Sequence, residues 1–319
     1  MPDSLRPAGP LQRLLFLKRV PLLAGLTGVE LAIVAEPAIE RFVPRGEVLL
    51  HEGEPVGAVH VVMEGALGAW RRGRHVARIG PGQAVGGYAL FAGDPSGTRL
   101  VAEEDTLALE LDADAVMEVL EDRFPILHHL LRELSRQLIS LITHHRLDPV
   151  LGMGDAEPPR GRERGQLDLV DRIIFLRQRD PFRRTSVNAL AELARALTQV
   201  RFEAGTVLWR EGEAAPSVFL LLDGRVRATS EARGLSFQPG PGFPLGSLEA
   251  IGETPRFYDA IAETPVAALH GSAEMLVDVF EDSFEMAMEY LGVLSRAALR
   301  IMDSNAAQGR GALEGLPGA

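Results

Sequence analysis

The amino-acid sequence repeats itself at an offset of about 160 residues. Gly-Pro-Gly occurs at residues 80–82 and again at 240–242. Upstream of this turn the offset is 159, so the Glu-Gly-Glu at 52–54 corresponds to the one at 211–213. An offset that changes by one residue over such a distance is typical of a duplicated unit. The chain is therefore expected to fold as two copies of one structure.

The distribution of turn-forming residues predicts where one copy ends and the next begins. Proline, glycine and arginine are concentrated between Asp148 and Gly165, a composition typical of a linker. A chain of 319 residues is long enough for two domains of ordinary size. The predicted boundaries are 12–146 for domain 1, 147–168 for the linker, 169–304 for domain 2 and 305–319 for a flexible tail.

Each copy shows the same order of predicted elements. A helical stretch opens each copy, from Leu11 to Arg41 in the first and from Leu167 to Arg201 in the second. Short β-rich runs bounded by glycine follow, and a helix closes each copy. Short strands separated by turn signals are typical of a β-sandwich or β-barrel. The sequence therefore predicts two such β units, each flanked by helices.

The closing helix of the first copy carries leucines at alternating spacings of four and three residues, the pattern of a coiled-coil seam. The helix either packs within its own chain, on its sheet or on another helix, or it forms a homodimer, and the sequence leaves these alternatives open. The seam consists of Leu127, Leu131, Leu134, Leu138 and Leu141.

The composition excludes several classes of function. The chain has 44 acidic and 33 basic residues and a formal charge of −11, so it lacks the overall basic character expected of a nucleic-acid-binding protein, although a local basic patch stays possible. There is no cysteine, which excludes disulfides, thiolate metal sites and cysteine nucleophiles. No segment has the length and apolarity of a transmembrane helix, and no signal peptide is evident, so a cytoplasmic location is expected.

The sequence also predicts neither a metal site nor an enzyme. Adjacent histidines occur at 128–129 and 144–145, but neighbours on a helix point in different directions and do not form a chelate. No hydrolase elbow, zinc-protease motif or kinase motif set is present. We therefore expect a non-catalytic protein.

An ordered set of short motifs recurs in both copies. The motifs are a Pro-containing helix start at 20–23 and 180–182, an aromatic residue leading into a glycine and a strand at 42–49 and 202–207, and a later glycine at Gly65 and Gly224. With the Gly-Pro-Gly turn, this order resembles the cyclic-nucleotide-binding domain, present twice. The resemblance implies an α+β, mainly β fold, with two β-jelly-roll barrels flanked by N- and C-terminal helices.

The phosphate cradle of this family has the pattern Phe-Gly-Glu-x-Ala-Leu, followed by Pro-Arg-x-Ala. The resemblance assigns the glutamate to the ribose, the arginine to the cyclic phosphate and the last alanine to the pocket wall. In the first copy the cradle consists of Gly86, Gly87, Tyr88 and Ala89, followed by Ser96. Gly87 stands where the ribose glutamate is expected and Ser96 where the arginine is expected. The first copy therefore lacks both contacts.

The second copy retains one of the two contacts. Its cradle consists of Gly246, Ser247, Leu248, Glu249, Arg256 and Tyr258. Arg256 occupies the position of the phosphate arginine, whereas Ser247 replaces the ribose glutamate. Glu249 would compete with a phosphate for the same positive end of a helix. Tyr258 replaces the small wall residue and either fills the cavity or stacks on a base.

The energies involved favour weak cyclic-nucleotide binding. Losing one charged hydrogen bond costs ~1.5–3 kcal/mol, or tenfold and more in affinity. The sequence thus predicts a non-catalytic regulatory or scaffold protein with two degenerate cyclic-nucleotide-binding-like domains, acting through protein partners or an atypical ligand. Two alternatives are a cyclic AMP or cyclic GMP sensor that binds mainly in domain 2, and a regulatory subunit of a separate enzyme. No helix-turn-helix follows either copy, which argues against a DNA-binding regulator.

The resemblance also implies how a signal would leave such a domain. In this family, ligand binding moves the helix that closes the domain. The corresponding predicted helices are Ala113 to Arg146 and Ala273 to Ser304.

Overall fold

The computed structural model describes residues 9–71, 73–93, 98–146 and 166–308. Ser96, most of the predicted linker and most of the predicted tail lie outside these ranges.

Eight strands form the β unit of the first repeat. They are β1 (Ile39–Val43), β2 (Val48–Leu50), β3 (Ala58–Glu64), β4 (Leu67–Arg71), β5 (Arg74–Ile79), β6 (Ala84–Val85), β7 (Arg99–Ala102) and β8 (Thr106–Asp112). The strands divide into two antiparallel sheets, with the orders β1-β8-β3-β6 and β2-β7-β4-β5.

The second repeat reproduces this topology strand by strand. Its strands are β9 (Thr198–Phe202), β10 (Val207–Trp209), β11 (Ser217–Asp223), β12 (Val226–Ser230), β13 (Leu235–Phe237), β14 (Pro244–Leu245), β15 (Asp259–Ala262) and β16 (Val266–Ser272). The sheets have the orders β9-β16-β11-β14 and β10-β15-β12-β13. Two four-stranded antiparallel sheets with these connections form a jelly roll, which confirms the predicted fold class.

Helices flank both β units. They are α1 (Pro10–Leu17), α2 (Gly28–Ala35), α3 (Gly87–Ala92), α4 (Ala113–Asp122), α5 (Phe124–His145), α6 (Leu169–Arg177), α7 (Val187–Ala196), α8 (Ser247–Gly252), α9 (Ala273–Asp282) and α10 (Phe284–Ala307). In the part of the chain that the structure describes, no helix is both long and apolar enough to cross a bilayer.

The helices in the structure are shorter than the helical stretches predicted from the sequence. Each opening stretch consists of two short helices and ends before a strand, because β1 begins at Ile39 and β9 at Thr198. In the first copy Pro37 follows the last turn of α2, and a proline does not continue a helix. The closing helices break at Arg123 and Ser283, where α4 and α9 end and the longer helices α5 and α10 begin.

The chain divides into two compact units, each of which combines residues of both repeats. Unit 1 consists of residues 1–130 and 294–319, and unit 2 of residues 131–293. The division falls within α5 and α10, so each of these two helices contributes residues to both units. The domain boundaries predicted from the repeat follow the duplication rather than this division and stay a prediction.

The leucine seam of α5 is part of the protein interior. All five leucines are at most 4% exposed within the single chain. Of the alternatives that the sequence left open, the structure therefore shows packing within the chain. A homodimer through the same leucines has no exposed surface to use in this conformation.

The seam predicts a stability effect that a dimer contact would not give. Replacing Leu134 by alanine removes a buried side chain, so we expect the free energy of unfolding to fall by about 2–5 kcal/mol. Urea unfolding measures this loss, and Ile139→Ala, at a half-buried position of the same helix, should cost less. A loss that depends on protein concentration would instead indicate a dimer interface.

Candidate ligand sites in the two repeats

The cradle of the second repeat begins at a glycine that no other residue could replace without strain. Gly246 joins β14 to α8 with a φ of +80°. A Cβ atom at this position would overlap the guanidinium group of Arg256. Glycine alone combines the left-handed backbone with the missing side chain, and this brings Arg256 directly against the start of α8.

Arg256 is directed into the protein. Its side chain is 2% exposed, and its guanidinium lies over the ring of Trp209 at 4.0 Å. Nη1 donates to the carbonyl oxygen of Gly246 at 3.0 Å and Nη2 donates to that of Ser217 at 2.6 Å. Nε has no hydrogen-bond partner among the described residues. Burial lowers the pKa of this guanidinium, and the nearby charge of Glu249 opposes that effect.

Glu249 is a buried carboxyl group in the same cradle. It is 1% exposed, and its Oε1 has no hydrogen-bond partner within the part of the chain that the structure describes. Burial raises the pKa of this carboxyl to about 7, although the positive charge of Arg256 favours the ionised form. The carboxyl therefore changes its protonation state close to neutral pH.

Aromatic rings fill the interior of the second jelly roll. Tyr258 is 2% exposed and lies edge-on to Phe237 and Phe257, with ring centroids 5.0 and 4.8 Å away. Trp209 packs against Tyr258 at 5.6 Å and donates its Nε1–H to the Tyr258 carbonyl oxygen at 3.0 Å. Tyr258 is thus part of a packed aromatic cluster, the first of the two roles considered from the sequence. The other two cradle residues are a buried Ser247 and a half-buried Leu248.

The cradle of the first repeat has the same backbone and different side chains. Gly86 precedes α3 with a φ of +104°, as Gly246 precedes α8. Ala89 is buried at the position of Glu249, and Gly87 and Tyr88 are half-buried. The cradle positions from Gly86 to Ala89 carry no charged side chain.

Unit 1 contains an apolar cavity of about 190 Å³ that reaches this cradle. When the two repeats are aligned, three lining residues of the cavity correspond to larger residues in the second repeat. Leu50, Ala77 and Thr98 line the cavity, and the equivalent residues of the second repeat are larger aromatic ones. The equivalents, at offsets of 159, 160 and 160 residues, are Trp209, Phe237 and Tyr258.

A partly buried ion pair lies beside the cavity. Arg71, on β4, is 8% exposed and lines the cavity. Its Nε donates to Asp303 Oδ1 at 2.5 Å and its Nη2 to Asp303 Oδ2 at 3.1 Å, while Nη1 donates to Thr98 Oγ1 at 2.9 Å. Asp303 belongs to α10, whose Leu299 and Met302 also line the cavity.

Two arginines related by the repeat bind the ends of the two cradle helices. In unit 1, Arg296 of α10 donates to the carbonyl oxygen of Ala92, the last residue of α3, at 3.2 Å. In unit 2, Arg136 of α5 donates to the carbonyl oxygen of Gly252, the last residue of α8, at 2.6 Å. Each pair differs by 160 residues, so both copies make the same contact. In each case a long helix of one repeat holds the cradle helix of the other.

Sequence reasoning missed these contacts for different reasons. Arg71 and Asp303 are 232 residues apart, and no local pattern pairs them. The arginine contacts did leave a signal, because Leu-Ser-Arg occurs at both 134–136 and 294–296. Of the predicted site residues, the structure brings Arg256, Glu249, Gly246 and Tyr258 together in one cradle.

A comparison with known protein families matches both copies of the repeat. The sequence model of the cyclic nucleotide-binding domain matches residues 40–123 and 199–283, together more than half of the chain. The chain belongs to the cyclic nucleotide-binding domain family. The resemblance seen in the motifs is confirmed, and so is its presence in tandem.

Several known proteins are similar to parts of this cyclic nucleotide-binding domain protein. An uncharacterised NTE-family protein from Mycobacterium tuberculosis is 28% identical over 123 residues, which are 38% of this chain and 21% of that protein. A CRP-like cAMP-activated global transcriptional regulator from the same species is 30% identical over 100 residues, 30% of this chain and 45% of that protein. The chain therefore spans less than half the length of these curated relatives.

A solved structure aligns with a larger share of the chain. It is the regulatory domain of Toxoplasma gondii PKA in co-crystals with cAMP, which is 19% identical and has a TM-score of 0.36. The alignment covers 91% of this chain and 97% of that one. Within residues 9–71, 73–93, 98–146 and 166–308, no group of three or more His, Asp or Glu side chains is placed to hold a metal ion.

The contact between Gly246 and Arg256 predicts a site-specific loss of stability. Gly246→Ala adds backbone strain and an overlap with the guanidinium, so we expect it to lower the free energy of unfolding by about 3 kcal/mol or more. Gly205→Ala is the matched control, since Gly205 has a φ of +87° and open space around it. That variant should lose only about 1–2 kcal/mol in urea unfolding. Equal losses would contradict the close packing at Gly246.

The buried carboxyl predicts a pH-dependent stability. The pKa of Glu249 is about 7 in the folded protein, against an ordinary value of 4.5. Between these values the folded protein holds a proton that the unfolded chain has released, so the free energy of unfolding falls as the pH rises. The contribution is at most about 1.4 kcal/mol per pH unit.

Urea unfolding of the wild type and of Glu249→Gln from about pH 5 to about pH 8 measures this effect. The glutamine variant should lack this part of the pH dependence, because its side chain does not titrate. Glu274→Gln, at an exposed position of the same unit, is the control and should follow the wild type. A constant difference between wild type and Glu249→Gln would show that Glu249 does not titrate in this range.

Proposed function

We propose that this protein is a non-catalytic regulatory protein that acts through protein contacts or an atypical ligand. In this proposal its two cyclic nucleotide-binding domains do not bind cyclic AMP or cyclic GMP in the manner usual for the family. The family assignment supports a regulatory domain, and the side chains of the two cradles support the departure from the usual ligand.

The observation that carries the proposal is the state of Arg256. Both of its terminal nitrogens donate to main-chain carbonyl oxygens, and its plane is covered by Trp209. A cyclic phosphate would have to replace hydrogen bonds of a charged group, each contributing about 1.5–3 kcal/mol. When ionised, Glu249 would also repel the phosphate from within the same cradle.

The first repeat supports the same conclusion by different means. Its cradle presents no charged group from Gly86 to Ala89, and the arginine that lines its cavity, Arg71, is already paired with Asp303. A cyclic phosphate entering this cavity would have to separate that pair. Separating the pair would leave the buried guanidinium of Arg71 without its carboxylate partner, which is unfavourable.

The two long helices are the proposed route by which a signal leaves the cradles. Arg296 and Arg136 hold the last carbonyl groups of the cradle helices α3 and α8. A change in either cradle helix would therefore act directly on a long helix of the other repeat. Protein partners are proposed to respond to that movement, and a separate enzyme regulated in this way is one such partner.

A second candidate function rests on the retained arginine. Arg256 occupies the phosphate position of the family motif, so a cyclic nucleotide sensor operating through the second repeat is the alternative. Rotation of Arg256 away from Ser217 and Gly246 would be required for it.

Calorimetric titration with cyclic AMP and cyclic GMP distinguishes the two functions. We expect no heat of binding at ligand concentrations of about 1 mM, because the arginine donors are engaged within the protein. Glu249→Ala restores the residue of the family motif and removes the buried acid, so a gain of binding in this variant alone supports the proposal. Micromolar binding to the wild type that disappears in Arg256→Ala would establish the sensor instead.

A further inference from the structure

We infer that the cavity of unit 1 binds a neutral, mainly apolar molecule of about one or two aromatic rings. Only the regulatory role of this molecule rests on the proposed function. The existence of the site depends on the cavity itself, on the aligned second repeat and on the pairing of charges beside the cavity.

The cavity has the size of a small-molecule site. Its volume is about 190 Å³, whereas an engineered apolar cavity of ~150 Å³ in another protein stays dry and binds benzene. Protein interiors are close-packed, so a void of this size forfeits dispersion contacts that a bound molecule would restore. A ligand that fills the cavity is therefore expected to stabilise unit 1.

The second repeat indicates which chemistry fits the same backbone. There the side chains of Trp209, Phe237 and Tyr258 occupy the interior and pack edge-on or tilted against one another. The first repeat has Leu50, Ala77 and Thr98 at the aligned positions, and all three line its cavity. An aromatic molecule bound in the first repeat would supply the rings that these smaller side chains lack.

The charges beside the cavity select a neutral ligand. Among the described residues, the polar side chains in the lining are those of Arg71, Tyr88 and Thr98, and the others in the lining are apolar or glycine. Asp303 holds Arg71 through two hydrogen bonds at 2.5 and 3.1 Å, so the one charged residue among the described lining residues is neutralised by its partner. An anionic ligand would have to displace Asp303, whereas a neutral one leaves the pair intact.

A ligand in this cavity would contact α10 directly. Leu299 and Met302 of that helix line the cavity, and they pack in one cluster with Ala92 at the end of the cradle helix α3. Asp303 is the next residue along the same helix. A ligand in the cavity would therefore change the surroundings of the Met302 side chain, which can be measured.

The experiment uses the full chain labelled with ¹³C at its methionine methyl groups. Indole is the neutral probe and benzoate its anionic counterpart of similar size, with cyclic AMP as a third ligand. We expect indole to shift the Met302 methyl resonance, assigned with Met302→Leu, and to raise the thermal midpoint. Benzoate should bind at least tenfold more weakly, and cyclic AMP should leave the resonance unchanged.

Filling the cavity provides the matched variant. Ala77→Phe introduces the residue that the second repeat carries at this position, and Ala77→Leu fills less space if the larger side chain prevents folding. Either folded variant should weaken indole binding at least tenfold. As the control for general effects on packing, Ile139→Ala in unit 2 should leave indole binding unchanged.

Three results would overturn the inference. They are an unshifted Met302 resonance at millimolar indole, undiminished binding in both Ala77 variants, and binding of benzoate as strong as that of indole. Failure of the proposed function has a different signature. Cyclic AMP binding that depends on Arg256 and not on Ala77 would reject the proposed function and leave the cavity inference standing.

Discussion

A β unit of this topology encloses an interior that side chains or a ligand must fill, and the two repeats meet this requirement differently. In the second repeat Trp209, Phe237 and Tyr258 fill it with aromatic rings, and Arg256 is stacked on one of them. In the first repeat smaller residues leave a cavity of about 190 Å³. The two repeats share the same strand topology, so the difference between their interiors arises from a few substitutions at aligned positions.

The same comparison explains the placement of charge. Among the described residues, each β unit buries one arginine, and each is compensated by different means. Arg71 pairs with the carboxylate of Asp303, and Arg256 donates to carbonyl oxygens and lies near Glu249. A buried charge is tolerated only when it is paired or hydrogen-bonded. Among the described residues, both arginines are thereby engaged in contacts within the protein, which supports the proposed departure from the usual ligand.

The long helices α5 and α10 connect these interiors to the rest of the protein. Their repeat-related arginines, Arg136 and Arg296, join each of them to the cradle helix of the other repeat, at Gly252 and Ala92. A carbonyl at a helix C-terminus is an orphan acceptor, and an arginine both satisfies it and complements the helix dipole. The contact therefore stabilises the cradle helix and at the same time joins it to a long helix of the other repeat.

The sequence by itself determined the duplication and the two jelly rolls, and it predicted the cradle residues from the family motif. These features are local: they depend on motifs, turn glycines and strand patterns that recur within one repeat, as at Gly86 and Gly246. The predicted opening helices are too long, because they run past the residues where β1 and β9 begin.

Only the tertiary structure decided what fills each interior and which residues pair across the chain. The cavity is lined by Leu50, Ala77 and Thr98, which lie on three separate segments of the chain. Only the folded structure brings these small side chains together around one space. Arg71 and Asp303 are separated by 232 residues, so their bond depends on where α10 packs. Whether Arg256 faces a ligand or the protein interior was likewise set by the ring of Trp209 and the carbonyl of Ser217, which no pattern around Arg256 encodes.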